Sequence, residues 1–214
     1  MRFPWDEANP QIRNRIMDNL ANLLPDVVAS GRRRDPPTVD LFRDWHRRML
    51  DGVPLVEPAV AGGFRGSGPQ GGRLKTYWVA VDQVEAVRPG RVRSEMSLFG
   101  RRIDEQVATL DPLIPAKAPP GKREHEVISL CAWAHGEFVR IHPFADGNGR
   151  VSRAVILWLE TRYGLPVFID LRPRPSSSTG YEGASRASMA GRHQLMEITL
   201  TNMLARHRTQ NPDA

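Results

Sequence analysis

Between Val127 and Leu159 the chain carries two strongly apolar stretches separated by a short polar turn. Val127, Leu130, Cys131, Ala134, Phe138 and Ile141 recur at helical spacing in the first, and Val151, Ala154, Val155, Trp158 and Leu159 in the second. Pro143 disfavours a helix that continues through His142, and Gly147 and Gly149 supply a tight turn. Helices this apolar have to be buried, and the segments around them also read as helical apart from one hairpin. The pattern predicts an all-α fold in which the polar turn is gripped by the core on both sides.

The remaining segments supply the cover. Ile12, Ile16, Leu20, Leu23 and Leu24 predict an N-terminal helix over 9–25, capped by Asn9, with Pro10 in its first turn and Pro25 as its stop. A second helix follows Thr38 and buries Leu41, Phe42, Trp45, Met49 and Leu50, with Gly52 past its end. Residues 52–73 read as a long loop. Thr76 to Val81 and Val84 to Arg88 predict a hairpin turning at Asp82 and Gln83. Val92, Met96, Phe99, Ile103, Val107 and Leu110 keep the helical period despite Gly100, and 111–122 is a proline-rich break containing Pro112, Pro115, Pro119 and Pro120. A loop with Pro173, Pro175 and Ser176 to Ser178 leads to a short helix from Tyr181. The last helix follows Gly191, with Met196, Leu200, Met203 and Leu204 on one face.

Charge and cysteine content narrow the function classes. Thirty Lys and Arg against 24 Asp and Glu leave a formal net charge of +6 in 214 residues, which permits a phosphate-bearing ligand without demanding one. No basic stripe with interleaved aromatics is present, so direct nucleic-acid binding is not expected; the run Arg32 to Arg34 reads as a solvated turn. The single cysteine, Cys131, excludes a disulfide framework and a Cys-rich zinc site and points to a reducing compartment. The start lacks the pattern of a signal peptide and no stretch is long and apolar enough to span a membrane. A soluble protein of the cytoplasm, or one delivered into a target cell's cytosol, is expected.

The chemistry concentrates in His142-Pro143-Phe144-Ala145-Asp146-Gly147-Asn148-Gly149-Arg150-Val151-Ser152-Arg153. Glycines at 147 and 149 let successive backbone N–H groups approach one point at a helix start, an arrangement that favours phosphate. Arg150 and Arg153 stand one turn apart, where each can reach a different phosphate. Asp146 is the carboxylate through which Mg²⁺ is commonly held beside a polyphosphate. His142 can take a proton from an incoming hydroxyl near neutral pH.

This stretch resembles the signature of the Fic family, H-x-F-x-D/E-G-N-G-R-x-x-R, with every specified position filled. His135 and Ile141 resemble the family's helix into the motif, Gly62-Gly63-Phe64-Arg65 its upstream G-x-Y-R segment, and Tyr181 with Ala184 its downstream Y-x-x-A helix. The likeness covers roughly 35–205, so a single domain over 1–214 is expected, with the N-terminal helix packed on the core. The resemblance implies a helical bundle with a hairpin flap and the transfer of AMP from ATP to a Ser, Thr or Tyr hydroxyl of a target protein. It makes His142 the base, Phe144 a core anchor and Asp146 the Mg²⁺ ligand. Gly147, Asn148 and Gly149 become the anion hole, and Arg150 and Arg153 phosphate contacts. Asn148 also holds the α-phosphate and Arg153 the γ-phosphate. The hairpin at about 76–88 would register the target.

Position 149 separates subclasses. The family's death-on-curing kinases carry lysine there, whereas Gly149 leaves room for the β- and γ-phosphates and so favours AMP transfer. Another nucleotide, phosphocholine, phosphorylation or an idle nucleotide-binding module remain alternatives. Family members are often restrained by an S/T-x-x-x-E-G/N helix whose glutamate pairs with the second motif arginine, here Arg153. Ser178 to Gly183 spells that pattern, but its place before the final helix argues against Glu182 as the inhibitor, and a separate antitoxin-like protein is expected to supply the glutamate. Other signals fail. Gly66 to Gly71 spells G-x-G-x-x-G without a preceding strand, and His125-Glu126 has Ser129 where a zinc protease needs its second histidine. His135 reads as structural, Cys131 as inert packing, and His46, His193 and His207 as ordinary surface or helix-face residues.

Overall fold

The computed structural model describes residues 4–116, 123–171, 175 and 179–212. The expected features at Pro119, Pro120, Pro173 and Ser176 to Ser178 lie outside the described residues. Eight helices and one hairpin are seen among those described: α1 Pro10–Arg33, α2 Val39–Met49, α3 Arg73–Thr76, β1 Ala80–Val81, β2 Val84–Glu85, α4 Val92–Leu110, α5 Glu124–Ile141, α6 Asn148–Arg162, α7 Tyr181–Met189 and α8 Gln194–Gln210.

The centre of the bundle is α6. Val151 to Leu159 are buried on every side of this helix, as expected for one with no solvent face. Helices α1 and α5 flank it, α2 adds a smaller contact, and α5 in turn carries α7 and α8. One continuous core runs from Trp5 and Ile12 through Phe42, Phe99 and Phe138 to Leu204. No described helix is long and apolar enough to cross a membrane.

Three features differ from the expectation. Helix α1 does not stop at Pro25 but continues to Arg33, with Pro25 inside it. Proline removes one N–H and crowds the preceding turn, yet Val27, Ser30 and Gly31 beyond it are buried against the bundle. A Cβ at Gly31 would fall 2.0 Å from Thr161 Oγ1, so the absence of a side chain lets α1 touch α6 there. The expected solvated turn at Arg32 to Arg34 is therefore the end of this helix. Arg34 closes it in the left-handed conformation (φ 58°) and reaches the carbonyls of Asp111 and Ile114.

The hairpin is the second difference. Only Ala80–Val81 pair with Val84–Glu85, around a turn with positive φ at Asp82 (47°) and Gln83 (70°), and Thr76 belongs to α3. Such a turn suits the right-handed twist of a two-residue hairpin. Val79, Val81, Val84 and Ala86 pack with Val139 of α5 and Met189 of α7, a small cluster separate from the main core. Third, the 52–73 loop contains a 3-10 turn at Pro58–Val60.

Candidate active site

The motif turn begins where α5 ends. His142 is its C-cap residue and adopts φ 52°, with its N–H bonded to the Phe138 carbonyl. A non-glycine residue in this region costs on the order of 1–2 kcal/mol and needs surrounding contacts to hold it. The imidazole is half-buried. Nδ1 lies 3.1 Å from the Val139 carbonyl; a carbonyl only accepts, so Nδ1 carries the proton and Nε2 keeps its lone pair. Burial, with a smaller push from the Arg65 guanidinium, lowers the ring's pKa to about 4. At neutral pH His142 is an uncharged base.

Behind the turn, Phe144 is fully buried and stacks on His46, the rings 3.8 Å apart and 7° from parallel. The Asn148 carboxamide closes the turn on itself: its Oδ1 accepts from Phe144 N–H at 2.8 Å and its Nδ2 donates to the Phe144 carbonyl at 2.9 Å. Gly147 precedes α6 with φ 79°, and a Cβ there would meet Met49 Cε at 2.5 Å. Arg150 and Val151 turn their N–H groups to the Gly147 carbonyl, so the amides left at the helix start are those of Asn148 and Gly149. Gly149 is different: an added Cβ would make only an ordinary contact, 3.5 Å from an Arg153 nitrogen, and its φ is not positive. The fold itself does not require glycine at 149.

A cavity of about 230 Å³ joins these groups. His142, Asp146, Asn148, Gly149 and Arg153 line one side; Val81 and Asp82 of the hairpin turn and Tyr181, Glu182 and Arg186 of α7 line the other. Asp146 is exposed, and its Oδ1 accepts the Gly147 N–H at 2.6 Å. Arg153 is 5 % exposed and donates to the carbonyls of Asp170 (3.0 Å) and Leu171 (2.7 Å), which aims it along the cavity wall. The two arginines do not share the cavity. Arg150 points toward the N-terminal segment and pairs with Glu7. Glu182 is half exposed and pairs with Arg186 at 3.8 Å, and Arg186 also holds Asp82 of the hairpin at 2.6 Å.

His46 was not legible as a supporting residue, and Arg65 was legible only as part of the resemblance to the upstream G-x-Y-R segment. His46, expected as an ordinary helix-face residue, is fully buried. Its Nε2 donates to the Asp146 carbonyl at 3.0 Å and its Nδ1 accepts the Gly62 N–H at 2.9 Å, which again fixes a neutral ring. Burial lowers its pKa to about 3. The signal was available: residues 42, 46 and 49 fall on one helical stripe. Arg65 is 1 % exposed and donates to four backbone carbonyls. Other readings agree with the structure. His135 is buried against the Tyr181 hydroxyl (2.7 Å), burial lowers its pKa to about 3, and Cys131 is buried. His193, expected as ordinary, bridges to Glu137 at 2.9 Å. No residue from 66–71 lines the cavity, and no group of three or more His, Cys, Asp or Glu side chains is placed to hold a metal among the described residues.

Comparison with known proteins agrees with this geometry. Residues 36–159 match the family model described as Fic/DOC family. Protein adenylyltransferase fic-1 of Caenorhabditis elegans is 28% identical over 140 residues, which is 65% of this chain and 22% of that protein. Protein adenylyltransferase Fic of Drosophila erecta is 29% identical over 144 residues, 67% of this chain and 23% of its own length. The Drosophila melanogaster protein of the same name is likewise 29% identical over 144 residues, 67% of this chain and 24% of its own. The chain thus spans under a quarter of the length of these relatives. With the motif turn, its buried anchor and a match over more than half the sequence, the chain belongs to the Fic/DOC family.

Proposed function

We propose that the protein is a Mg²⁺-dependent protein adenylyltransferase that moves AMP from ATP to a Ser, Thr or Tyr hydroxyl of a target protein. One observation carries the reading. The neutral His142 ring, its Nδ1–H held by Val139, stands on the same cavity as Gly149 and Arg153 at the start of α6. The names of the relatives support the same chemistry.

In the proposed step the target hydroxyl oxygen attacks the α-phosphorus while His142 Nε2 takes the hydroxyl proton. The bond between the α-phosphorus and the oxygen bridging to the β-phosphate breaks, and pyrophosphate leaves. The chain contributes position and charge neutralisation rather than covalent chemistry: amides at the α6 N-terminus receive phosphate oxygens, and Arg153 offsets the charge of the leaving group. Asp146 suits Mg²⁺, because it is exposed on the cavity and a single carboxylate completed by phosphate oxygens and water is a common Mg²⁺ donor set. Bound there, the ion would supply further charge neutralisation. In this reading the hairpin registers a target segment by strand addition, and a separate antitoxin-like protein supplies an inhibitory glutamate to Arg153. Glu182 is turned to Arg186 instead. A cytoplasmic setting completes the proposal.

ATP labelled at the α- or the γ-phosphate tests it with cell-lysate protein as acceptor. Label from the α-phosphate on protein is expected, and His142→Ala lowers it by about 10²–10⁴-fold, the scale of a lost general base, with ATP affinity unchanged. Label from the γ-phosphate instead identifies a kinase, and undiminished transfer by His142→Ala refutes the assigned base.

A further inference from the structure

Arg65 stands outside the motif and outside the cavity lining, yet its side chain touches both feet of the hairpin and the residues that carry the proposed base. Its Nε donates to the His142 carbonyl at 2.6 Å, and one terminal nitrogen donates to both Ile141 (3.0 Å) and Val87 (2.9 Å). The other terminal nitrogen donates to Tyr77 at 3.1 Å, and the Arg65 backbone N–H donates to Pro143 at 2.8 Å. Tyr77 and Val87 are the two feet of the hairpin; Ile141, His142 and Pro143 are the hinge between α5 and the motif turn. No carboxylate pairs with Arg65 among the described residues, so its buried charge is satisfied by carbonyl dipoles alone. Burial lowers its pKa only to about 10, which leaves it charged at neutral pH.

Geometry explains the residue type. A planar guanidinium presents its donors as a fixed fork, and here the fork spans two chain segments that are otherwise joined near this point by Val87 N–H to the Arg140 carbonyl. The same fork steadies His142 at φ 52°. At the first foot it takes the Tyr77 carbonyl, and at the second it meets Val87 on the side that faces away from the opposite strand.

We infer that Arg65 is a positioning residue that couples the hairpin to His142, so that loading or loosening the hairpin is felt at the base. The inference rests on the adenylyl-transfer reading for its functional consequence, but the coupling itself does not. A lysine in this place has a compact ammonium that cannot hold carbonyls on both sides at once.

Amide hydrogen exchange on the full chain reads the coupling without any target. In Arg65→Lys, exchange at Ala86 and Val87 and at His142 is expected to rise together by tenfold or more, while α1 and α8 keep their rates. Asp82→Ala cuts the exposed tie between hairpin and Arg186; alone it is expected to speed exchange at His142, and added to Arg65→Lys it does so no further. Failure of Asp82→Ala to reach His142, or equal acceleration everywhere in Arg65→Lys, overturns the inference. The Asp82→Ala arm stands even if Arg65→Lys does not fold. Where α-labelled ATP transfers label, Arg65→Lys is expected to lower kcat by tenfold or more with the KM for ATP within threefold; a changed KM alone counts against it. Coupled exchange in a protein that transfers no label supports the clamp and refutes the functional reading instead.

Discussion

Two histidines bracket the motif turn, and they are held in opposite ways. His46, behind it, has both ring nitrogens engaged and its face stacked on Phe144 inside the main core. His142, in front, spends one nitrogen on a carbonyl and keeps the other for the cavity. The regions around them differ likewise. The rear is continuous with the core through Phe138 and Phe144, whereas the front is roofed by a hairpin resting on a cluster of a few small apolar groups, a guanidinium bonded to carbonyls and an exposed ion pair. A wall with many buried contacts opens at close to the full cost of unfolding, and one with few opens far more cheaply. The rear can hold donors in fixed positions while the front is free to open, as the proposed transfer from a nucleotide to a target requires.

The sharpest way to break this contrast is Phe144→Ala. Loss of a buried ring should cost about 3–5 kcal/mol of global stability, read as a lower denaturant midpoint. Met189→Ala, under the hairpin, is expected to cost about 2 kcal/mol, the low end for a buried methionine, and to appear chiefly as faster exchange at Ala86. Equal effects from both would erase the distinction.

Acid tests the buried rings next. His46 and His135 are held neutral with pKa values of about 3, against about 6.5 for an ordinary histidine. The unfolded chain therefore binds protons that the folded one refuses. Stability is retained above pH 6.5 and falls as the pH drops toward 3, by up to about 1.4 kcal/mol per pH unit for each ring. His46→Gln should flatten that decline in an unfolding series, despite lower stability at pH 7. The smallest effect is expected at Gly149. Gly149→Ala should change stability by no more than about 1 kcal/mol, with helix propensity favouring alanine, while weakening ATP binding in a titration. Unchanged binding would mean that the space above the helix start is not used.

Most of the bundle was legible because its helices are strongly patterned, and the motif turn because its residue types are unusual together. What escaped depended on partners far along the chain. Pro25 looks like a stop until the contact of Gly31 with Thr161 extends α1 past it. The strand-like run from Thr76 shortens because Thr76 ends α3 and Arg65, twelve residues earlier, takes the Tyr77 carbonyl. Arg150 seemed destined for the cavity by spacing alone, and only Glu7, from the other end of the sequence, turns it aside. Local pattern reports which face of a helix is apolar; it does not report which distant group will claim a polar tip.

The claim of Glu7 on Arg150 has a practical corollary for anyone who would trim the protein to its recognisable part. A fragment cut at 36 and 159 would keep every letter of the signature. It would also strip α1 from one flank of α6 and discard the Asp170 and Leu171 carbonyls that orient Arg153. Such a fragment would expose a greasy flank to water and is expected to precipitate, because the stretch that identifies the family leaves out a helix that packs on its central one.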